Sequence, residues 1–246
     1  MYDIVRGSRT RLTSGGDGRN GNTTWTPDGE RVTYFSIVSG MNRLYARAAD
    51  GSAEAELVLA DSERDRFPIS WSPDGSTLAF AETQPAGDRD IFLVRDGEVT
   101  TLLSTSFHEL SPMFSPNGRY VAYVSDESGR AEVYVRPHPE GDQKWSISTD
   151  GGQEPRWSRD GRELFYRNGY KMMVVPVETG SSFRVRRPSL LFDAPYFIDG
   201  AGHPAYDVSL DAQRFLMIQD TEDERTQLNV VFNWFEELKR LAAKDP

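Results

Sequence analysis

Trp71-Ser72-Pro73-Asp74-Gly75 is the stretch whose reading decides the fold. Proline sets φ for the first corner of a turn, aspartate bonds its own neighbouring backbone, and glycine accepts the positive φ that closes a tight hairpin. The ring ahead of the turn ends one strand; behind it Leu78 and Phe80 alternate with period two, the mark of a second strand. The line returns as Trp25-Thr26-Pro27-Asp28-Gly29, Phe114-Ser115-Pro116-Asn117-Gly118, Trp157-Ser158-Arg159-Asp160-Gly161 and, worn, as Val208-Ser209-Leu210-Asp211-Ala212. Counted from Asp28, the position recurs after 46, 43, 43 and 51 residues, a period that marks a repeat architecture.

Each copy continues into further strands. A third is expected at Leu44 to Ala46, Ile91 to Val94, Val133 to Val135, Met172 to Val177 and Leu228 to Phe232. A fourth is expected at Glu56 to Leu59, Thr100 to Leu103, Trp145 to Ser148 and Leu190 to Phe192. Four antiparallel strands per repeat make one propeller blade, so the fold class is all-β, a β-propeller of four-stranded antiparallel blades. The repeats span about 20–60, 66–104, 109–149, 153–193 and 204–234 of a single domain, 1–246. Such a sheet must bury both faces on its neighbours, and the recurrence of Trp25, Trp71 and Trp157 assigns them to packing between blades.

The chain opens in the middle of a repeat. Tyr2 to Val5 reads as a third strand and Thr10 to Thr13 as a fourth, so that the N-terminal strands within 2–13 would complete the C-terminal sheet and close a five-bladed ring. One strand is then surplus, which leaves a six-bladed parent open. A short helix is expected after the last strand, capped at Asn233 with Glu236 three residues on and with Trp234, Leu238 and Leu241 on one face.

Composition narrows the function classes. The 246 residues include 28 basic and 38 acidic ones, and the net charge of −10 disfavours nucleic acid and anionic lipid as partners. No cysteine is present, so disulfides, thiolate zinc sites and cysteine nucleophiles fall away together, while cytoplasm and periplasm both stay open. No apolar run is long enough to span a membrane, and Met1 to Gly7 lacks the apolar centre of a secretory signal.

The Trp-Ser-Pro-Asp-Gly turn followed by Thr77-Leu78-Ala79-Phe80, or by Tyr120-Val121-Ala122-Tyr123-Val124-Ser125-Asp126 in the next copy, resembles the WD-like repeat of TolB-type bacterial propellers. Glu154 to Tyr166 and the tail Asn229 to Leu238 look most like the propeller regions associated with bacterial serine/threonine kinases. The resemblance implies a six-bladed ring and a sensor or scaffold role; no kinase motif is in the chain.

Motifs for chemistry are sparse. Gly180-Ser181-Ser182-Phe183-Arg184 lacks the second glycine of a nucleophile elbow, and His108-Glu109-Leu110-Ser111-Pro112 lacks the second histidine of a zinc-peptidase helix. The acidic runs Asp61 to Asp65, Asp88-Arg89-Asp90 and Asp220 to Glu224 lack the spacing of a calcium loop and read as solvated loops. His138, between Pro137 and Pro139, reads as an outward turn residue, and His108 and His203 as surface residues ahead of inner strands. No metal ligand set, cofactor or catalytic group is assigned. A ligand site belongs where loops lead into the innermost strands, and the matching positions are Asn22, Phe67, Glu109, Glu154 and His203, a mixture suited to a peptide or small polar ligand.

These features favour a non-enzymatic binding module, either a scaffold for a protein partner or a ligand sensor, monomeric unless an open sheet edge pairs two copies. The alternative is a hydrolase or lactonase whose metal is held on the channel by side chains from several blades.

Overall fold

The computed structural model describes residues 2–3, 7–9, 11–13, 19–60, 62–180, 182–200, 202–219 and 228–230. Every regular element among them is a β-strand, and none is a helix of the length and apolarity needed to cross a membrane. The chain divides into two compact units, Met1–Pro112 and Met113–Pro246.

In the first unit β1 (Tyr2–Asp3) and β2 (Ser8–Arg9) form a short two-stranded ribbon ahead of the first full sheet. The expected fourth strand at Thr10 to Thr13 is corrected by this pairing: the strand is Ser8–Arg9, and residues 11–13 are outside any strand. A four-stranded antiparallel sheet follows from β3 (Asn20–Trp25), β4 (Arg31–Val38), β5 (Met41–Ala48) and β6 (Glu56–Leu57). The next comprises β7 (Arg66–Trp71), β8 (Leu78–Thr83), β9 (Arg89–Arg95) and β10 (Glu98–Leu103).

The third sheet runs β11 (Glu109–Phe114), β12 (Tyr120–Ser125), β13 (Glu132–Pro137) and β14 (Trp145–Ser146), and the boundary of the units falls inside β11. In the second unit β15 (Gln153–Trp157), β16 (Glu163–Asn168) and the nine-residue β17 (Lys171–Thr179) share a sheet with two outer partners. β18 (Phe183–Val185) folds back on the end of β17, and β19 (Ser189–Asp193) pairs with its beginning. Last come β20 (Tyr206–Val208), β21 (Phe215–Ile218) and β22 (Leu228–Val230). Apart from Thr10 to Thr13, the expected strands thus stand near where the period placed them, the fourth strands of the first and third copies shortened to Glu56–Leu57 and Trp145–Ser146, and β18 is an addition. The surplus residues of the last third strand and the C-terminal helix lie outside the described residues.

The repeated turn has one chemistry in all five copies. In the second, the Ser72 hydroxyl donates to Asp74 Oδ1 at 2.5 Å and accepts the Thr77 N–H at 2.9 Å, while the Ser76 N–H donates to Asp74 Oδ1 at 3.1 Å. Thr26 with Asp28, Ser115 with Asn117, Ser158 with Asp160 and Ser209 with Asp211 repeat this arrangement. Gly75 holds φ at 70°, and in the worn copy Ala212 adopts 55°, strain that the intact hydroxyl–carboxylate pair keeps in place.

Sheets pack through the expected rings. Leu44, Leu59, Leu78, Phe80 and Val94 bury one core in the first unit. Phe165, Met172, Val174, Phe192, Tyr206, Phe215 and Met217 bury another in the second. Trp71 Nε1 reaches Thr33 Oγ1 of the preceding sheet at 3.1 Å, and Trp157 Nε1 reaches the Met113 carbonyl at 3.0 Å. Trp25 is the correction: it stands 49% exposed, because no preceding sheet among the described residues covers its ring as the first sheet covers Trp71.

Candidate functional site

The innermost strands share an irregularity that positions their side chains. Pairing slips between Gly21 and Thr24 in β3, between Pro68 and Ser70 in β7, and between Gln153 and Arg156 in β15, each slip a β-bulge that re-aims the strand. Asn22, Ser111 and Glu154 carry positive φ of 46°, 54° and 56°, each three residues ahead of the ring that ends its strand. The second copy has Pro68 there, whose ring forbids positive φ. The partners of Asn22 and Glu154 by geometry are therefore Pro68 and Ser111, deeper in their strands than Phe67 and Glu109.

Glu154 is fully buried, and its carboxylate holds a loop. Oε1 accepts the Asp199 N–H at 2.8 Å and Oε2 the Ala205 N–H at 3.3 Å. The Tyr206 hydroxyl donates to the Glu154 carbonyl at 2.9 Å. His203 lies half-buried inside the loop so held, which makes Glu154 and His203 the nominated residues that the fold brings into one place. Burial pushes the Glu154 carboxyl up to about 7, against the lowering effect of the two N–H bonds and the Arg167 charge. The same burial raises the Tyr206 phenol well above its ordinary value.

Arg167, fully buried on β16, is the partner that sequence reasoning missed. Its Nη2 donates to the carbonyls of Gly169 at 3.2 Å and Tyr196 at 3.4 Å, while Nε and Nη1 make no hydrogen bond. A signal for it exists, since the equivalent positions in the other copies are Phe35, Ala81 and Val124.

The other buried acids each hold a hydroxyl or a cation through at least one oxygen. Glu109 accepts from the Thr105 hydroxyl, Asp90 accepts from Ser104 Oγ at 2.7 Å, and Glu132 accepts from Ser148 Oγ, the Gly151 N–H at 2.9 Å and Arg130 Nε at 2.7 Å. Glu82 takes Arg66 at 2.7 Å and Arg64 at 3.2 Å. Asp90 is 4% exposed, which corrects its reading as part of a solvated loop: the start of β9 lies under the chain leaving β10. Phe67, half-buried, meets Phe35 edge-on at 5.7 Å with Arg89 stacked 4.2 Å over it, and Asn22 is half-buried in the bulge of β3. His108 lies 3.2 Å from Asp88. His138 is half-buried against the Phe114 ring at 4.9 Å, with Nδ1 3.1 Å from the Gly118 carbonyl, so its turn folds inward where an outward residue was expected. Among the described residues no three His, Asp or Glu side chains are grouped to hold a metal ion.

A cleft of about 680 Å³ opens between the first two sheets of the first unit. Its floor includes Ala46, Val58 and Trp71; its rim carries the turn residues Asp28 and Asp74 and the ion pair of Arg31 with Glu56 at 2.6 Å. Leu57, on the outer strand beside it, is 45% exposed.

Repeated four-stranded antiparallel sheets, joined by the same turn and packed ring on sheet, define a β-propeller. Residues 55–185, more than half of the chain, match the TolB beta propeller domain, and the chain belongs to that family. Similar proteins include an uncharacterised protein of Agrobacterium fabrum, 28% identical over 58% of this chain and 52% of its own length. A TolB homologue of Chlorobium luteolum is 30% identical over 45% of this chain and 24% of its own. The chain thus spans about half of the first relative's length and a quarter of the second's. The solved structure of the periplasmic gluconolactonase of Pseudomonas aeruginosa is similar in fold at 19% identity, with a TM-score of 0.60 over 94% of this chain and 76% of that one.

Proposed function

We propose that this chain is a non-enzymatic binding module that presents rigid loops and clefts to a protein or peptide partner. The observation that carries the reading is the commitment of the buried carboxylates. Glu132 and Glu154 spend both oxygens on hydroxyl or backbone N–H groups of the loops between sheets, and Glu109 spends Oε1 on the Thr105 hydroxyl. A general base or metal ligand needs a carboxylate oxygen turned toward the reacting species, whereas a recognition surface needs loops held in one conformation before the partner arrives. Membership of the TolB beta propeller family supports the same reading.

The test is a paired assay on the intact chain. Hydrolysis of sugar lactones and peptide esters is followed with calcium, manganese or zinc added, and capture of partner proteins is followed by site-specific photocrosslinking from exposed loop positions. Discrete crosslinked partners without metal-dependent turnover are expected. Turnover that scales with added metal would replace the reading by the lactonase or hydrolase alternative.

A further inference from the structure

The second unit contains a filled version of the cleft that stands open in the first. Between the third and fourth sheets, the turn from β17 to β18 lays the chain against the Ser115–Gly118 turn, and Phe183 becomes a buried wedge. Its ring lies 4.9 Å from Tyr120, 4.8 Å from Trp145 and 6.3 Å from Trp157, centroid to centroid. Asn117 Nδ2 donates to the Thr179 carbonyl at 2.9 Å, and Arg119 Nη1 to the Gly180 carbonyl at 2.5 Å.

The strand registers give each of these residues a counterpart in the first unit. Tyr120 opens β12 as Arg31 opens β4; Trp145 faces Val135 as Glu56 faces Ala46; Trp157 ends its inner strand as Trp71 does. Arg31, Glu56 and Trp71 all line the open cleft. The paired turns approach one another alike in both places, with a Cβ on Gly161 falling 3.6 Å from Pro116 and one on Gly75 falling 3.7 Å from Pro27. At Gly161 the hairpin adds Thr179 Oγ1 at 3.5 Å, and no such segment reaches Gly75 among the described residues.

The differences between the two clefts specify the chemistry of what fits. Where the filled one offers the donors Asn117 and Arg119, the open one has Asp28 and Glu30. The Thr26 hydroxyl and the Glu30 N–H keep the Asp28 carboxyl below its ordinary range, and bonds from Ser72 and Ser76 bring that of Asp74 to about 2. A second copy of the Thr179–Val185 hairpin is therefore excluded as occupant, since its carbonyls would face carboxylates. Trp71, Val58 and the exposed Leu57 still supply an apolar seat, and Arg31, braced by Glu56, can lie against an aromatic face.

We propose that the cleft between the first two sheets binds a strand-like segment of a partner protein that carries an aromatic side chain flanked by lysine or arginine. This rests on the binding-module reading and gives it a place and a ligand class. The aromatic ring takes the position that Phe183 takes in the second unit, and the basic groups meet Asp28 and Asp74.

The test uses nine-residue fluorescent peptides with the sequence of residues 177–185. One carries Glu178→Lys and Ser181→Lys, a second adds Phe183→Ala to those changes, and the third is unaltered. Anisotropy with the intact chain should show saturable binding of the first, and at least about tenfold weaker binding of the other two, as expected when the aromatic anchor is removed or when Glu178 stands in place of a lysine and leaves Arg184 as the one basic group. Asp28→Asn keeps the turn, as Asn117 does in the third sheet, and should weaken the first peptide by about fivefold through loss of one exposed ion pair. Leu57→Glu should weaken it further, and unchanged melting temperatures show that both variants are folded. Absence of binding, or binding indifferent to Asp28→Asn, Leu57→Glu and the loss of the aromatic ring, overturns the proposal. If crosslinking still captures a partner with both variants, the cleft falls while the binding module stands.

Discussion

Tyr206 and Glu154 are joined twice over: the phenol donates to the Glu154 carbonyl at 2.9 Å, and the Glu154 carboxylate accepts the N–H of Ala205, the residue before Tyr206, at 3.3 Å. Both residues are buried, so a lost partner leaves a polar group without water. Tyr206→Phe should lower stability by about 1–2 kcal/mol in urea unfolding. Amide exchange at Asp199 and Ala205 should change little, because the carboxylate still holds them.

Glu154 also sets a pH dependence. With an ordinary value of 4.5 and a folded value of about 7, the folded chain keeps a proton that the unfolded chain has released between those limits. Unfolding then loses a bound proton, so this group lowers stability as pH rises from 4.5 to about 7, by about 3 kcal/mol in all. Arg167, Asp199, Tyr206 and the nearby Arg156 and Asp207 set the local field. Glu154→Gln has no such titration, and it cannot accept both N–H groups. It should be clearly less stable than the parent chain at pH 5 and closer to it at pH 8; a constant gap across that range would refute the assignment.

The turn network predicts a pair of contrasting variants. Ser158, buried in the fourth copy, donates to Asp160 and accepts the Glu163 N–H at 2.9 Å, so Ser158→Ala strands a buried donor and should cost about 1–2 kcal/mol. Asp160→Asn should be nearly neutral above pH 4, because Asn117 makes the same bonds in the third copy. The hydroxyl bond that holds the Asp160 carboxyl below its ordinary value gives it the opposite sign to Glu154. Its contribution is present above 3.8 and fades as pH falls through the depressed folded value, so the two variants are best compared by thermal melts at pH 7 and pH 2.

Much of this fold was legible because the turn is local. Ser72, Asp74 and Gly75 satisfy one another within a few residues, so their recurrence fixes the inner strands, and period two places the next strand of each sheet. The site was less legible because it depends on bulges. The positive φ at Asn22 or Glu154 goes with a one-residue slip in pairing, which no spacing in the sequence records, and Phe67 and Glu109 were matched to Glu154 without it. Trp25 shows a second limit. Its repeat position is that of Trp71, yet burial of a ring depends on the neighbouring sheet, which sequence equivalence does not supply. Arg167 was hidden differently, as a lone charge in an apolar column whose partners come from the loop around Tyr196.

Phe183 was passed over as part of a failed nucleophile elbow, and the structure makes it the key to the fourth sheet. The β18 strand that carries it bonds β17 through only three residue pairs, Val177 with Val185, Glu178 with Arg184 and Thr179 with Phe183. So short a strand is held mainly by what its side chains bury. Phe183 is 5% exposed against three aromatic rings, and its truncation opens a cavity the size of a phenyl group beside side chains that cannot collapse into it. Phe183→Ala should therefore cost about 3–5 kcal/mol and release the hairpin first. Hydrogen exchange should show early loss of protection at Val185, whose strand loses its anchor, while Val174 and Met172, paired with β19, stay protected until global unfolding. Equal protection loss on both sides of β17 would mean that the hairpin and the sheet unfold as one unit, and that Phe183 stabilises the whole sheet rather than its own strand.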